Sequence, residues 1–271
     1  MDGFKSAAQA YFNDENFSDL TIVCAATGKT YKSHRFLLSV HSKWFERCCK
    51  GAFAESGNRK IALKGDVPVA VDRMIEFFYK FDYSSDIPKA EETTQEVKTD
   101  PEEEFATQNI ETELELHAWM YAIADKYEIS DLKKLALAKF RADLRTQKRT
   151  RAEFELAITL IYSVLPLPES DFTLRQEVVD EWILIVTAAP DGIGRSDVAA
   201  LSRKLPSFAA DVQHRFLSST SSTLFECASC KREQVSCYRD GKNNLFSCPR
   251  CGTNQRYLSA KLTSTLRTRQ D

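Results

Sequence analysis

Four cysteines near the C-terminus have the spacing of a metal site. Cys227 and Cys230 form one C-x2-C pair, Cys248 and Cys251 form a second, and seventeen residues separate the two pairs. Each pair can present two thiolates from one tight turn, and two such turns complete a tetrahedron of sulfur ligands. Four thiolates close the coordination shell, which favours a structural ion over a catalytic one. The spacing therefore predicts one structural Zn²⁺ bound by these four cysteines.

The sequence around the second pair, Cys-Pro-Arg-Cys-Gly, resembles a zinc-ribbon knuckle. Its proline stiffens the turn, and its glycine lets the backbone fold around the metal. A redox-active dithiol pair is the alternative, but no thioredoxin-like βαβ pattern lies nearby. Between the pairs, an Asp-Gly turn signal predicts a hairpin with strands at 234–239 and 244–247. A module with so little apolar sequence requires its metal to fold.

The first half of the chain shows the alternating and helical patterns of an α+β domain. Leu20, Ile22 and Cys24 alternate with less apolar residues, and Gly28 can supply the positive φ of a tight turn after them. Ser42 is placed to cap a helix. The predicted elements are strands at 20–24 and 30–32, helices at 34–40 and 43–50, a strand at 59–63, and a helix opened by Pro68.

This order of elements resembles that of BTB/POZ domains of the fungal type. The resemblance is carried by Ser18-Asp19-Leu20, Ser33-His34-Arg35 and Glu55-Ser56, and it resumes at Ala124-Asp125-Lys126-Tyr127. It implies a small sheet with a helical bundle, followed here by a helical extension and a small C-terminal zinc ribbon. It also implies an interaction module rather than an enzyme, and we find neither a catalytic constellation nor a phosphate-binding glycine loop in the sequence.

The resemblance implies protein partners. BTB domains form dimers or bind other proteins, and many are substrate adaptors of cullin ubiquitin ligases, whereas others belong to transcription regulators. We therefore expect a protein-interaction adaptor, with a homodimer partner and a cullin among the candidates. The alternative is a chromatin- or transcription-associated factor whose basic zinc ribbon contacts nucleic acid. Few aromatic residues lie among the basic ones, so this signal is weak.

Candidate contact residues also come from the resemblance. Phe53 and Glu55 fit the hydrophobic-x-Glu pattern of cullin binders, although Phe53 could instead close the core while Glu55 is solvated. Asp19 and Arg35 match a charge pair beside the dimer pocket, and removing one partner of a buried pair costs about 3–5 kcal/mol. A helix within residues 1–16 is either a dimer element or packs on its own domain.

Composition shifts predict the domain organisation. An acidic stretch at 84–112 contains few large apolar residues, which predicts a disordered insertion resting loosely on the basic residues of 139–151. The predicted segments are a BTB domain at 1–140, a helical extension at 141–217, a linker at 218–223, the ribbon module at 224–262 and a tail at 263–271.

The net charge, the N-terminal sequence and the cysteine count indicate which partners and which cellular location to expect. The formal net charge of −2 provides no global field for nucleic acid or an anionic membrane. The N-terminus lacks the basic and apolar regions of a signal peptide, and we expect no membrane partner. Because the eight cysteines then point to a reducing compartment, we expect a cytoplasmic or nuclear location.

Overall fold

The computed structural model describes most of the N-terminal two-thirds of the chain and several strands beyond it. The described residues are 2–50, 59–87, 108–146, 150–188, 201, 203–219, 222–226, 233–237, 245–247, 254–256 and 261–265. The chain divides into two compact units, residues 1–177 and residues 178–271.

A three-stranded mixed sheet forms the first part of unit one. Its strands are β1 (Leu20–Cys24), β2 (Thr30–Ser33) and β3 (Lys60–Leu63), in the order β2-β1-β3. Strand β2 runs antiparallel to β1, and β3 runs parallel to it. Alternate residues of β1 are buried, as the sequence predicts. Gly28 has a φ of +71° and donates its N–H to the carbonyl of Cys24, which closes the predicted turn.

Four helices are described in the same part of the chain as this sheet. They are α1 (Asp2–Gln9), α2 (Arg35–His41), α3 (Lys43–Lys50) and α4 (Pro68–Lys80). Ser42 begins α3 as predicted, because its Oγ accepts the N–H of Phe45 at 3.0 Å. The same Oγ donates to the carbonyl of Tyr127 at 2.6 Å. One buried hydroxyl therefore satisfies backbone groups of two separate elements.

Helix α4 supplies much of the core. Val71, Met74, Ile75 and Phe78 are buried on it, as the periodicity predicts. Full burial of side chains of this size stabilises a fold by roughly 1.5–3 kcal/mol each. The ring of Phe78 packs edge-on against Phe45 of α3, with 5.6 Å between the centroids.

A helical hairpin follows, formed by α5 (Glu113–Lys126) and α6 (Ser130–Leu144). Helix α5 is central, and every residue from Leu116 to Ala124 is buried. A capping box between Thr112 and Glu115 begins it. The burial of this helix on all sides explains why its sequence is apolar without a clear amphipathic stripe.

The two ends of the acidic stretch 84–112 contact the domain. The N–H of Ser84 donates to the Glu76 carboxylate at 3.2 Å, and Arg73 donates to the carbonyl of Asp86 at 2.6 Å. Ile110 is buried at the other end. Residues 88–107 lie outside the described residues, so their disorder stays a prediction.

The helices described in full after α6 are α7 (Arg151–Ser163), α8 (Thr173–Ala188) and α9 (Pro206–Ser219). The predicted capping box of α7 is present between Thr150 and Glu153. The boundary between the two units falls within α8. In the second unit, Trp182 packs edge-on against Phe208 at 5.6 Å. Among the described residues, we find no helix with the length and apolarity needed to span a bilayer.

Five strands are described near the C-terminus. They are β4 (Ser222–Glu226), β5 (Glu233–Cys237), β6 (Leu245–Ser247), β7 (Asn254–Arg256) and β8 (Lys261–Thr265). One sheet has the order β5-β4-β8, and β6 pairs with β7 in a second. The linker prediction at 218–223 and the tail prediction at 263–271 each overlap a described strand.

The predicted hairpin between 234–239 and 244–247 is wrong for the described strands. Strand β5 pairs with β4, where Leu224 lies opposite Val235, and β6 pairs with β7. The Asp-Gly turn signal is local, whereas the strand partner of β5 is β4, which lies earlier in the chain. Sequence reasoning placed the start of β4 in a hydroxyl-rich linker and therefore missed that partner.

Candidate protein-interaction surface

Aromatic side chains are unusually exposed around helices α1 and α2. Phe17 retains 84% of its accessible surface, Phe36 72% and Phe4 57%. Val40, Tyr11 and Phe12 are also exposed. Scattered exposed apolar residues are ordinary, but large ones gathered in one region mark interaction sites. We call this region the aromatic patch.

An apolar groove of about 290 Å³ lies within the patch. It is lined by Phe4, Ala7, Ala8, Tyr11, Phe17, His34, Phe36, Leu37 and Tyr79. Small-molecule sites usually enclose roughly 300–1,000 Å³ and carry several orienting polar groups. This groove is at the lower limit of that range, and its size and lining suit one or two apolar side chains of a partner.

Two polar side chains of the groove wall, His34 and Tyr79, are bonded to each other. His34 Nε2 lies 2.9 Å from the carbonyl oxygen of Asn16, and its Nδ1 lies 2.9 Å from the hydroxyl of Tyr79. Because a carbonyl only accepts, Nε2 carries the proton, and in the neutral ring Nδ1 accepts from Tyr79. Burial raises the pKa of Tyr79 to about 12, so its hydroxyl stays protonated. The groove therefore presents an apolar face to a partner.

Ring contacts hold helix α1 and the turn after it against α4. Phe4 packs edge-on against Phe81 at 6.2 Å, and Phe12 against Tyr79 at 5.8 Å. The ammonium of Lys80 lies 5.2 Å from the Phe12 ring centroid, within the range of a cation–π contact. The N-terminal helix therefore packs on its own domain, and it leaves one side of its aromatic residues exposed.

Asp19 and Arg35 lie together, but the contact involves the backbone. The carboxylate of Asp19 accepts the N–H of Arg35 at 2.8 Å, at the first residue of α2. A carboxylate at this position satisfies an unpaired helix donor and interacts favourably with the helix dipole. Asp19 is exposed, so the cost expected for a buried pair does not apply to it. We expect this carboxylate to contribute about 0.3–1 kcal/mol instead.

Residues 8–119 match the family model of the BTB/POZ domain. The chain carries a BTB/POZ domain. No curated protein matches the chain. The matched region contains the sheet, helices α2 to α4 and the first half of α5, and it holds most of the aromatic patch. BTB domains are generally interaction modules, and the exposed apolar patch agrees with that role.

Other predicted site residues lie outside the described residues. Phe53 and Glu55 belong to the segment between α3 and β3, and the four cysteines Cys227, Cys230, Cys248 and Cys251 follow strands β4 and β6. Within the part of the chain that the structure describes, no cluster of histidine, cysteine and carboxylate side chains could hold a metal. The cullin contact and the zinc site therefore stay predictions.

Sequence reasoning missed the exposed side of α2, which belongs to the aromatic patch. Phe36 and Val40 stand four residues apart on α2 and are exposed, whereas Leu37 and Leu38 are buried. The sequence shows an apolar helix here without distinguishing its faces. A signal was present, because a short helix that is apolar on more than one face has more apolar surface than one core contact can cover.

Proposed function

We propose that this chain is a protein-interaction adaptor whose BTB domain self-associates through the aromatic patch. The observation that supports the proposal is the presence of projecting rings and a groove in the same patch. A two-fold interface places one surface against itself, so it needs both complementary shapes on each copy. Phe17 and Phe36 supply projecting rings, and the groove of about 290 Å³ supplies the recess.

The size of the rings indicates where the binding energy would be concentrated. Aromatic anchors that enter apolar pockets are frequent hot spots, and each contributes ≥ ~2 kcal/mol. Two copies related by symmetry would use each anchor twice. Sedimentation velocity of the full chain over a micromolar concentration range tests the proposal. We expect a concentration-dependent dimer, and a monomer at every concentration would contradict it.

The adaptor proposal extends to a cullin scaffold as a partner. Its support is the family resemblance and the position of Phe53 and Glu55 in the segment after α3, which ends at Lys50. In this role Phe53 would enter an apolar groove of the scaffold, and Glu55 would meet a basic rim. Phe53→Ala should abolish co-purification of the cullin while leaving self-association intact. If the wild-type chain binds no cullin at micromolar concentrations, the ligase part of the proposal fails while the adaptor part stands.

A structural zinc ion completes the proposal for the C-terminal segment. Two antiparallel strand pairs support it. Strands β4 and β5 are joined by the six residues 227–232, which contain the first cysteine pair, and β6 and β7 by the six residues 248–253, which contain the second. Four thiolates are a donor set that zinc prefers. The residues present therefore fit one Zn²⁺.

The C-terminal module then has two possible classes of target. In the adaptor role it reads a protein substrate, and in the alternative role its basic side chains contact nucleic acid. Binding of the full chain to duplex DNA that weakens steeply with added salt would favour the alternative. The same assay cannot produce that result through the aromatic patch, because the patch is apolar. We also propose, from the sequence resemblance, that the BTB domain is of the fungal type.

A further inference from the structure

A partly buried histidine joins helix α2 to the end of helix α4. His41 is in the last turn of α2, and its imidazole contacts three phenyl rings of the α4 region. The ring centroids lie 5.6 Å from Phe77, 5.9 Å from Phe78 and 5.1 Å from Phe81. Its Nε2 atom is buried and has no hydrogen-bond partner. The proposed self-association does not use this group, so its position calls for another explanation.

Phe81 has an unusual backbone conformation at this junction. It ends α4 with a φ of +58°, in the left-handed region that bulky side chains rarely adopt. Besides His41, its ring contacts two residues of α1. Phe4 packs against it at 6.2 Å, and the ammonium of Lys5 lies 5.2 Å from its centroid. Phe81 therefore connects the His41 imidazole to the N-terminal helix.

The charged groups around this imidazole are few. Burial lowers the pKa of His41, and the carboxylate of Asp131, in the first turn of α6, opposes that effect. From α1, the ammonium of Lys5 lies over the ring of Phe81. On α4, Lys80 is directed to Glu76 at 2.9 Å. A proton on His41 would therefore be held among phenyl rings with one carboxylate to balance it, and an uncompensated buried charge is costly.

We propose that His41 is a pH-sensitive latch for helix α1, in which protonation of the imidazole loosens its contacts with Phe81 and releases the helix. In the neutral state the uncharged ring packs edge-on against Phe77 and Phe81 and at a tilt against Phe78. In the protonated state both ring nitrogens are donors, so Nε2 needs a hydrogen-bond acceptor or water. It can reach one only by moving away from these rings. Phe81 then loses the support that keeps its strained backbone in place.

The latch would regulate the aromatic patch, and in this respect it rests on the proposed function. Phe4, Ala7 and Ala8 of α1 line one side of the groove. Release of α1 would remove that side and expose the remaining rings. Acidification below the ordinary histidine range should therefore weaken self-association by about tenfold or more, because the competent conformation becomes a minor one.

The test separates the latch from self-association by using a monomeric background. The full chain carrying Phe36→Asp is titrated from pH 8 to pH 5 and followed by NMR. The carbon resonances of the His41 imidazole report its protonation, and the amide resonances of residues 2–9 report α1. We expect the α1 amides to shift towards unfolded values with the same midpoint as His41. In the matched variant His41→Phe, the α1 amides should stay unchanged over this range.

Three results would overturn the latch. One is α1 amides that stay fixed while His41 becomes protonated. The second is a His41 ring that remains neutral down to pH 5. The third is an α1 transition that persists in His41→Phe and in His41→Gln, a polar replacement that serves if the first variant does not fold. Because the titration uses a monomer, failure of self-association in the wild type would leave it interpretable.

Discussion

The Nδ1 atom of His34 lies 2.9 Å from the hydroxyl oxygen of Tyr79, so the residue before α2 is bonded directly to the last turn of α4. The other ring nitrogen bonds to the carbonyl of Asn16, in the turn that follows α1. One side chain therefore joins three segments that line or support the groove. This arrangement makes His34 a positioning residue of the aromatic patch.

Replacing His34 with alanine should destabilise the domain and weaken the patch. Both bonds would be lost, and the carbonyl of Asn16 and the hydroxyl of Tyr79 would each lose the imidazole as a partner, which typically costs about 1–3 kcal/mol. Urea unfolding followed by tryptophan fluorescence measures the loss. His214→Ala is the control, because this histidine is exposed on α9. A change below about 0.5 kcal/mol in His34→Ala would show that the bonds contribute little.

Acid should destabilise the fold through His117. Its Nδ1 lies 2.9 Å from the hydroxyl of Tyr83 in the core. Burial, with a smaller effect of Lys139, lowers its pKa to about 4 in the folded chain. In the unfolded chain the pKa is near 6.5. The stability that depends on neutral His117 is therefore fully present above about pH 6.5 and is lost as the pH falls towards 4.

The size of this effect can be bounded and isolated. The difference between the folded and unfolded pKa values of His117 lowers the free energy of unfolding by at most about 3 kcal/mol between pH 7 and pH 4. Urea unfolding at several pH values should show a shallower acid dependence in His117→Phe than in the wild type. Parallel curves for the two chains would mean that His117 becomes protonated in the folded state without strain.

Lys133 should hold α6 to the segment before α8. Its ammonium lies 2.6 Å from Asp125 and 2.8 Å from Asp171. Burial opposes the charged form of Asp171, but hydrogen bonds, that from Lys133 first, outweigh it and hold the pKa at about 2. Lys133→Met should cost about 1–3 kcal/mol, because two partly buried carboxylates then face each other without a cation.

The neighbouring residue gives a matched control for this prediction. Lys134 pairs with Asp131 at 3.1 Å, but both side chains are largely exposed. Lys134→Met should therefore change the free energy of unfolding by less than about 0.5 kcal/mol. Equal losses in the two variants would contradict the assignment of Lys133 as a buried link.

Zinc should be lost when one predicted ligand is removed. Cys230→Ser leaves three thiolates, which should abolish the one-to-one zinc content of the purified reduced chain and unfold the residues after 223, since metal binding drives the folding of such modules. Cys237→Ser is the control, because this cysteine lies in β5 and outside the predicted ligand set. Metal analysis that finds no zinc in the freshly purified wild type would contradict the site.

Periodicity and capping predicted much of the described BTB fold. The alternation of β1, the cap at Ser42 and the buried face of α4 are all local signals, and the structure confirms each of them. Local signals do not predict contacts between segments that are distant in the sequence. The bond from His34 to Tyr79 joins residues 45 positions apart, and nothing in either local sequence indicates it.

The candidate surface was harder to predict for a physical reason. Phe17 and Phe36 are apolar, and sequence patterns assign apolar residues to the core unless a polar face is visible beside them. Only the positions of the sheet and of α4 show that these two rings have no core to enter. The structure brings Asp19 and Arg35 together through a backbone amide, and their role as a charge pair beside a dimer pocket stays a prediction.

Self-association through the aromatic patch is the central claim, and one comparison tests it most directly. Sedimentation velocity is measured for the wild type, for Phe36→Asp in the patch and for Leu156→Asp on α7, where an exposed apolar side chain lies outside the patch. We expect the wild type and Leu156→Asp to form dimers of equal affinity. Phe36→Asp should weaken the dimer by at least about 30-fold, the equivalent of one hot spot. Equal dimerisation of all three chains, or a monomeric wild type, would contradict the account.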